Sequence, residues 1–313
     1  MRFVLIFPGQ GSQIPGMGKD LAAAFSAARS AFAAVDDALG ARISALCFNG
    51  PADELTLTLN AQPALLAHGA AVWAVAREAL EGRVDAAAGH SLGEFTAYHA
   101  ADALTLGAAA RLVRRRGELM YESGIARPGA MAAILGETLE PIAAICAQAT
   151  REAGLVVPAN YNSREQVVIS GEPAGVDRAM ALARELGAKR AIKLNVSGAF
   201  HSPLMETALD GFSQAIDKSC FTEARFPVYS NVTADAGISA GRARALLARQ
   251  LTNPVRWTDE ISTMAAAHPD STYVEMGPGT VLVGLLKKIA PQLRTMSCGG
   301  PADIDKLMEI AAA

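Results

Sequence analysis

Residues 85–100 read DAAAGHSLGEFTAYHA, and the prediction of the fold starts from this stretch. The apolar run at 85–89 predicts a short buried strand, and residues 92–100 predict a helix. Gly89 and Gly93 lie two residues on either side of Ser91. On so sharp a strand-to-helix turn the serine points outward, the glycines relieve crowding, and the next amide faces a developing oxyanion. The pattern therefore predicts a nucleophile at Ser91.

The rest of the chain alternates apolar runs, bounded by turn residues, with helical patterns. This alternation indicates an α/β protein with a mainly parallel sheet, resembling an α/β-hydrolase-like domain. Further strands are predicted at 3–7, 227–230 and 271–275. Further helices are predicted at 19–38, 61–81, 107–122, 202–217, 240–251, 257–267 and 280–290.

A different order of elements is predicted between residues 126 and 196. It runs through strand 130–135, helix 139–152, strands 156–160 and 166–170, helix 174–186 and strand 189–194. This β-α-β-β-α-β order is typical of a ferredoxin-like unit. Because α/β segments resume afterwards, we expect a small ferredoxin-like domain at 126–196, inserted into a large catalytic domain made of 1–125 and 197–313. A cleft between the two would be a natural ligand site.

Composition excludes several classes of function. The chain has 313 residues, a net charge of −3 and a pI near 6.0, which argue against nucleic acid as a partner. The uncharged window 56–76 contains polar residues and a proline, so a buried helix is expected there instead of a membrane span. Four widely spaced cysteines form no metal-binding pattern and suggest a reducing compartment. With no signal peptide in the first residues, we expect a cytoplasmic protein without a bound metal.

A serine hydroxyl is a weak nucleophile and needs a general base. Five histidines are available for that role. His68 and His99 fall inside predicted helices, where packing is the commoner role, and His268 follows a helix end. His90 adjoins the nucleophile, but adjacent side chains diverge in a sharp turn, so a structural or pocket-lining role is expected. His201 lies in a loop that enters a helix at Ser202-Pro203, which suits a general base.

The segment FPGQGSQ at residues 7–13 is a glycine-rich loop directly after the first predicted strand. Such a loop can present backbone amides to an anion. A phosphate loop is excluded because no lysine-serine pair follows, and the dinucleotide-binding spacing is absent as well. An oxyanion-hole loop and an ordinary strand-to-helix turn both remain open.

Four arginines crowd together on the predicted helix 107–122: Arg111, Arg114, Arg115 and Arg116. Neighbouring residues on a helix diverge by ~100°, so at most one or two of these can face a given pocket. Arginine is suited to a bidentate grip on a carboxylate. If one of them is buried, a carboxylate substrate would neutralise it.

Together these segments resemble the malonyl-CoA:acyl carrier protein transacylase family, which includes the acyltransferase domains of polyketide synthases. The resemblance covers nearly the whole chain, in matching order and spacing. It runs through PGQGSQ at 8–13, QPAL at 62–65, GHSLGE at 89–94, RG at 116–117, NYNS at 160–163, QVVISG at 166–171, GAFHS at 198–202, QLTNPVRW at 250–257 and EMGPG at 275–279.

The resemblance implies a dyad in which Ser91 is the nucleophile and His201 the base. It implies that the backbone amides of Gln10 and Leu92 form the oxyanion hole. In the family a backbone carbonyl near the Gln250 position orients the histidine, so no acidic third member is expected.

The resemblance also implies how the acyl group is chosen. Arg116 matches the malonate-binding arginine of the family. The Gly-Ala-Phe-His form around Phe200 is similar to that of malonyl-selective members, because the bulky ring should clash with an α-methyl branch. Further pocket or supporting residues are expected to be Gln62, His90 and Gln250.

The implied activity is a ping-pong transfer of malonyl from malonyl-CoA to the phosphopantetheine thiol of an acyl carrier protein, in fatty acid or polyketide biosynthesis, with no bound cofactor. We expect a monomer. Arg164-Glu165 stands where fatty-acid members often show Pro-Gly, which favours a stand-alone enzyme serving polyketide assembly lines in trans. Candidate docking charges for an acidic carrier are Arg184, Lys189, Arg190 and Lys193, for which a solvated face is the alternative.

Two other functions are compatible with parts of the sequence. An α/β-hydrolase, acting as an esterase or thioesterase, would use His268 with Asp235 or Asp259, and it would leave the Gln10 loop and Arg116 unexplained. A non-catalytic scaffold that binds carrier proteins would be expected to have lost the serine, the histidine or the arginine, and all three are present.

Overall fold

The structure is a computed structural model that describes residues 1–196 and 198–312. Ser197 and Ala313, the ends of the second predicted segment of the large domain, lie outside the described residues. The strands are β1 (Phe3–Phe7), β2 (Val84–Gly89), β3 (Ala130–Leu135), β4 (Val156–Ser163), β5 (Gln166–Gly171), β6 (Arg190–Lys193), β7 (Val228–Tyr229), β8 (Ala236–Gly237), β9 (Thr272–Met276) and β10 (Arg294–Cys298).

The helices follow in the same chain order, with a 3₁₀ turn at Pro203–Met205 before the tenth. They are α1 (Lys19–Ala24), α2 (Ser26–Leu39), α3 (Ile43–Asn49), α4 (Ala52–Thr56), α5 (Thr58–Leu80), α6 (Gly93–Ala100), α7 (Leu106–Ala126), α8 (Ile142–Ala153), α9 (Pro173–Glu185), α10 (Glu206–Asp217), α11 (Ala240–Gln250), α12 (Trp257–Ala267), α13 (Val281–Ile289) and α14 (Pro301–Ala312).

The larger sheet has six strands in the order β10-β9-β1-β2-β7-β8, all parallel except β8. Every residue of β1 is buried. Phe3, Leu5 and Phe7 pack into one apolar cluster, while Val4 and Ile6 pack into another. Since successive strand residues face opposite sides, helices must cover both faces of this sheet. The predicted α/β class with a mainly parallel sheet is confirmed.

The smaller sheet has four antiparallel strands in the order β4-β5-β3-β6, with α8 and α9 in a separate apolar cluster against it. Its β-α-β-β-α-β order is the predicted one. Val255 connects the two parts of the structure, because its backbone forms hydrogen bonds with Ala159 and Tyr161 of β4. The assignment of 126–196 to a separate domain stays a prediction.

Several element predictions were wrong in detail. The helix expected at 19–38 is two helices, because Phe25 adopts an extended conformation between them. The helix expected at 202–217 begins with the 3₁₀ turn. The elements α3, α4, α14, β8 and β10 had not been predicted. Residues 58–76 of the window 56–76 fall in α5, and none of the helices in the described ranges is long and apolar enough to cross a membrane.

Candidate active site

The turn between β2 and α6 holds Ser91 in a conformation that few side chains adopt. Its φ is 53°, in the left-handed region. A Cβ on Gly89 would overlap the backbone of Gly93, and a Cβ on Gly93 would overlap the carbonyl of Phe7. Both glycines are therefore required by close backbone contact, as the pattern predicted.

The hydroxyl of Ser91 lies beside an imidazole from a distant part of the chain. Ser91 Oγ is 2.8 Å from His201 Nε2, although the two residues are 110 positions apart. His201 also has a positive φ, 56°, and is almost fully buried. The structure thus brings together the predicted nucleophile and the predicted base.

The hydrogen bonds of His201 fix its tautomer. Nδ1 is 2.9 Å from the carbonyl oxygen of Gln250 and 3.1 Å from that of Asn253. A carbonyl only accepts, so Nδ1 carries the proton and Nε2 offers its lone pair to Ser91. Burial, and next the charge of Arg116, lowers the pKa of His201 to about 3. The imidazole is therefore neutral at physiological pH, as a general base must be.

Arg116 extends from α7 into the same centre and is 1% exposed. Its Nη2 donates to Ser91 Oγ at 3.1 Å and to Gln250 Oε1 at 2.9 Å, and its Nη1 donates to Gln62 Oε1 at 2.8 Å. In the described chain its Nε has no hydrogen-bond partner, and no carboxylate pairs with it. Burial lowers the pKa of Arg116 to about 10, so the side chain stays charged.

The other arginines of α7 are placed differently. Arg114 is half-buried and pairs with Glu118 at 2.9 Å, while Arg115 is more exposed and lies near Glu118 and Glu122. Arg111 faces solvent. One arginine of the four therefore faces the centre, within the range that helix geometry allowed.

A cavity of about 270 Å³ opens above Ser91. The larger sheet and its loops contribute the polar floor, and Phe200 lines the cavity as expected. The strands of the smaller sheet contribute the apolar side chains of Met131, Ala133 and Val168 and the polar side chains of Asn160, Asn162 and Gln166. An acyl group attached to Ser91 would lie between the two.

The two amides predicted for the oxyanion hole both border this cavity. Leu92 is the residue before α6, and Gln10 lies in the loop after β1. Neither backbone N–H has an acceptor within the described residues. The side chain of Gln10 is anchored, because its Oε1 accepts from Thr58 Oγ1 at 2.9 Å. Both amides are thus available to an anionic oxygen.

The remaining histidines make no hydrogen bond to Ser91 or His201 in the described chain, although His90 lines the same cavity. His90 joins the two sheets, since its Nε2 is 2.8 Å from Asn162 Oδ1 of β4, and burial lowers its pKa. His68 and His99 are on helices α5 and α6. His268 ends α12 and packs against the ring of Tyr229. Nothing in this arrangement favours the His268 alternative.

Sequence reasoning missed a group of buried polar residues behind Ser91. Asn231 accepts the Ser91 backbone N–H at 2.7 Å, and Glu94 and Glu260 surround it. Part of the signal was in the sequence: Asn231 directly follows the strand predicted at 227–230, and ligand sites form at the carboxyl ends of parallel strands. The pairing of that strand with β2 is visible only in the structure.

The predicted docking cations are exposed on and beside β6. Arg184 donates to the carbonyl of Ala191 at 2.8 Å, and Lys193 pairs with Asp177 at 2.7 Å. Lys189 and Arg190 have no ion pair within the described residues. In the same part of the chain, no three acidic, histidine or cysteine side chains are grouped so that they could hold a metal ion.

This centre is equipped for acyl transfer. It has a hydroxyl beside a neutral imidazole of the correct tautomer, two amides with no acceptor among the described residues, and a buried cation next to that hydroxyl. The cation separates it from a simple hydrolase site, because a buried arginine that has no carboxylate partner in the described chain is suited to an anionic acyl group.

Comparison with known proteins gives a consistent result. The acyl transferase domain family matches residues 4–297. A malonyl CoA-acyl carrier protein transacylase of Bacillus subtilis (strain 168) is 44% identical over 97% of this chain and 95% of its own length. The Escherichia coli (strain K12) protein of the same name is 40% identical, over 99% of both chains.

Solved structures agree with these relatives. An acyl-carrier-protein S-malonyltransferase from Bartonella henselae superposes with a TM-score of 0.94 at 40% identity, covering 100% of both chains. A malonyl-transacylase in complex with a type II PKS acyl-carrier protein has a TM-score of 0.93 at 39% identity, covering 99% of this chain and 100% of its own. The chain therefore belongs to the acyl transferase family, among the malonyl-CoA:acyl carrier protein transacylases.

Proposed function

We propose that this protein transfers a malonyl group from malonyl-CoA to the phosphopantetheine thiol of an acyl carrier protein, through a malonyl ester on Ser91. One observation carries the proposal: the buried guanidinium of Arg116 lies 3.1 Å from Ser91 Oγ and has no carboxylate partner among the described residues. A substrate carboxylate would supply the missing negative charge.

In the first half-reaction the Ser91 hydroxyl attacks the thioester carbonyl of malonyl-CoA. His201 Nε2 takes the hydroxyl proton as the new C–O bond forms, and the carbonyl becomes an oxyanion held by the amides of Gln10 and Leu92. The C–S bond then breaks. The proton on His201 passes to the departing sulfur, and free coenzyme A leaves.

The second half-reaction reverses these roles with a new nucleophile. His201 removes the proton of the phosphopantetheine thiol, and the sulfur attacks the ester carbonyl on Ser91. The same two amides hold the oxyanion. The C–O bond breaks, the proton returns to Ser91 Oγ, and the malonyl thioester of the carrier protein is released.

Arg116 holds the malonyl carboxylate during both steps. Its fixed position beside Ser91 orients the acyl group, which lowers the entropic barrier to attack. In the free enzyme Gln62 and Gln250 keep the guanidinium in place. Phe200 narrows the cavity and disfavours an α-methyl branch.

The relatives support the same donor and acceptor. Their names specify malonyl-CoA and acyl carrier protein, and one structure pairs a transacylase with a type II PKS carrier. The acceptor here is a carrier protein of fatty acid or polyketide synthesis, and no bound cofactor takes part. A cytoplasmic location fits these substrates and the four unpaired cysteines of the described chain. Lys189 and Arg190 are the exposed cations best placed to attract an acidic carrier.

The test is the intact mass of the protein after separate incubation with malonyl-, methylmalonyl- and acetyl-CoA. We expect a malonyl adduct on the wild type that disappears in Ser91→Ala. Ser262→Ala is the matched control, because Ser262 is an exposed serine on α12. Addition of a phosphopantetheinylated carrier protein should discharge the adduct. Absence of an adduct, or preference for acetyl, would contradict the proposal.

A further inference from the structure

Behind the nucleophile lies a polar group that takes no part in the chemistry described above. Asn231 follows β7 and is completely buried. Its Oδ1 accepts the backbone N–H of Ser91 at 2.7 Å, and its Nδ2 donates to the carbonyl of Gly89 at 2.8 Å. One amide side chain thus bridges the residues on both sides of His90, at the strained part of the turn.

The orientation of this amide is determined by its partners. The Gly89 carbonyl can only accept and the Ser91 N–H can only donate, so Oδ1 and Nδ2 of Asn231 cannot be exchanged. The second hydrogen of Nδ2 goes to Glu260 Oε2 at 2.9 Å. Asn231's own backbone N–H donates to Glu94 Oε2 at 3.2 Å. Glu94 and Glu260 are both fully buried.

Gln250 links this group to the rest of the site. Its Nε2 lies 2.6 Å from Glu94 Oε2, 3.0 Å from the Ser91 carbonyl oxygen and 3.2 Å from Asn231 Oδ1. The same residue accepts from Arg116 through Oε1 and from His201 through its backbone carbonyl. The peptide groups on both sides of Ser91 are therefore held by buried side chains.

We propose that Asn231 is a positioning residue for the transfer reaction: its amide, fixed by Glu260, holds the Ser91 turn in the left-handed conformation that aims Oγ at His201. The inference rests on the proposed function. A non-glycine residue with positive φ persists only where its surroundings impose it, and Asn231 makes the direct side-chain contact with the Ser91 N–H.

The buried environment of the Glu260 carboxyl suggests a pair of control variants. Burial, and next the charge of Glu94, raises the pKa of Glu260 well above its usual range. Burial disfavours the charged carboxylate here, and glutamine has the same shape and can still accept from Asn231 Nδ2. Alanine at 260 cannot. Comparison of Glu260→Gln with Glu260→Ala therefore tests whether a hydrogen-bond acceptor for Asn231 is needed at this position.

The experiment measures the rate at which malonyl-CoA acylates Ser91, by rapid quenching and intact mass. Asn231→Ala should lower the maximal rate about 10- to 100-fold, since a displacement of about 1 Å can cost about a hundredfold. The half-saturating malonyl-CoA concentration should change less than about threefold, because Asn231 does not contact Arg116. Glu260→Gln should stay within about twofold of the wild type, while Glu260→Ala falls at least about fivefold.

A folding control makes these rates interpretable. Val35→Ala opens a cavity in α2, away from the site, and should lower the melting temperature without slowing acylation. If Asn231→Ala acylates within about twofold of Val35→Ala, the inference is overturned while the proposed function stands. The same conclusion follows if both Glu260 variants lose activity equally. If Asn231→Ala does not fold, the Glu260 pair decides. A wild type that forms no adduct overturns the proposed function, and the inference with it.

Discussion

The cavity has two walls, one built by the six-stranded sheet and one by the four-stranded sheet. The walls differ in how their side chains are held in place. On the first, Ser91, His201 and Arg116 are joined to one another or to Gln250 by hydrogen bonds of 3.1 Å or less. The second combines apolar Met131, Ala133 and Val168 with three polar side chains, of which Asn162 has a hydrogen bond to His90, next to the nucleophile.

This difference suggests a division of work. Side chains locked by several buried hydrogen bonds keep the geometry that a reaction step needs. Apolar walls exclude water and restrict shape, which affects the choice of acyl group more than the chemical step. Substitutions in the hydrogen-bonded group should therefore lower the acylation rate, at Arg116 chiefly the rate with malonyl, and those at apolar side chains of the cavity should change the choice between acyl groups.

The largest effect is expected at the base. His201→Ala should lower the acylation rate about 10²- to 10⁴-fold, because the Ser91 proton then has no acceptor in the site. Single-turnover intact mass with malonyl-CoA measures this rate. His268→Ala is the control and should stay near the wild type. Loss of acylation in His268→Ala instead would favour the hydrolase alternative. It would mean that His201 is not the base.

A smaller effect is expected at the cation. Arg116→Ala should lower the malonyl acylation rate relative to acetyl by about 10- to 100-fold, since charge-assisted hydrogen bonds to the carboxylate contribute about 1.5–3 kcal/mol. Arg114→Ala, on the same helix but paired with Glu118, is the matched control and should keep the malonyl preference. The ratio of the two adduct rates is the readout. An unchanged ratio in Arg116→Ala would mean that this residue does not select the acyl group.

The bulk of Phe200 should govern a weaker preference. Phe200→Ser should raise the methylmalonyl-to-malonyl rate ratio about tenfold, because the value of one methyl group in a pocket is about 1–3 kcal/mol. Competition between the two thioesters, followed by intact mass, gives the ratio directly. The rate with malonyl-CoA alone should fall much less. A ratio that does not move would place the selectivity at other apolar side chains of the cavity.

The smallest effect is expected from pH. Burial, then Arg116, lowers the pKa of His201 to about 3, so falling pH should not protonate the base until well below pH 5. Between pH 7.5 and 5.5 the maximal acylation rate should change less than about threefold. An imidazole with the ordinary pKa of about 6.5 would be only about 10% neutral at pH 5.5. A roughly tenfold fall centred near pH 6.5 would therefore contradict the buried geometry.

The same shift has a consequence for stability, with a definite sign. A folded-state pKa of about 3 for His201 lies below the unfolded value of 6.5, so the unfolded chain binds more protons between these limits. The contribution of His201 to stability is complete above pH 6.5 and is lost as pH falls toward 3. Glu94 acts oppositely, because burial raises its pKa to about 7 and its contribution is lost as pH rises through that value.

Much of the fold could be predicted because its signals are local. Five consecutive apolar residues formed β1, and the helix predicted at 257–267 was found with those bounds. The break at Phe25 carries no glycine or proline, so tertiary packing decides it. β10 at the edge of the sheet is half-exposed and lacks a clear apolar pattern, which explains why it was missed.

The site was predictable where a motif marks it. The glycine pattern identified the turn at Ser91, but choosing among the histidines and arginines relied on the family resemblance. Only burial distinguishes Arg116 from Arg114, and burial depends on how α7 packs. Asn231 was missed because its role depends on β7 lying next to β2, which the chain order does not reveal.

The positive φ angles of Ser91 and His201 have a consequence for the evolution of this protein. Each such residue stores roughly 1–3 kcal/mol of backbone strain, and here both members of the dyad carry it. Variants that relax either turn would gain thermal stability, but the side chains of Ser91 and His201 would no longer point at each other. Selection for heat resistance and selection for turnover therefore oppose each other at these two positions.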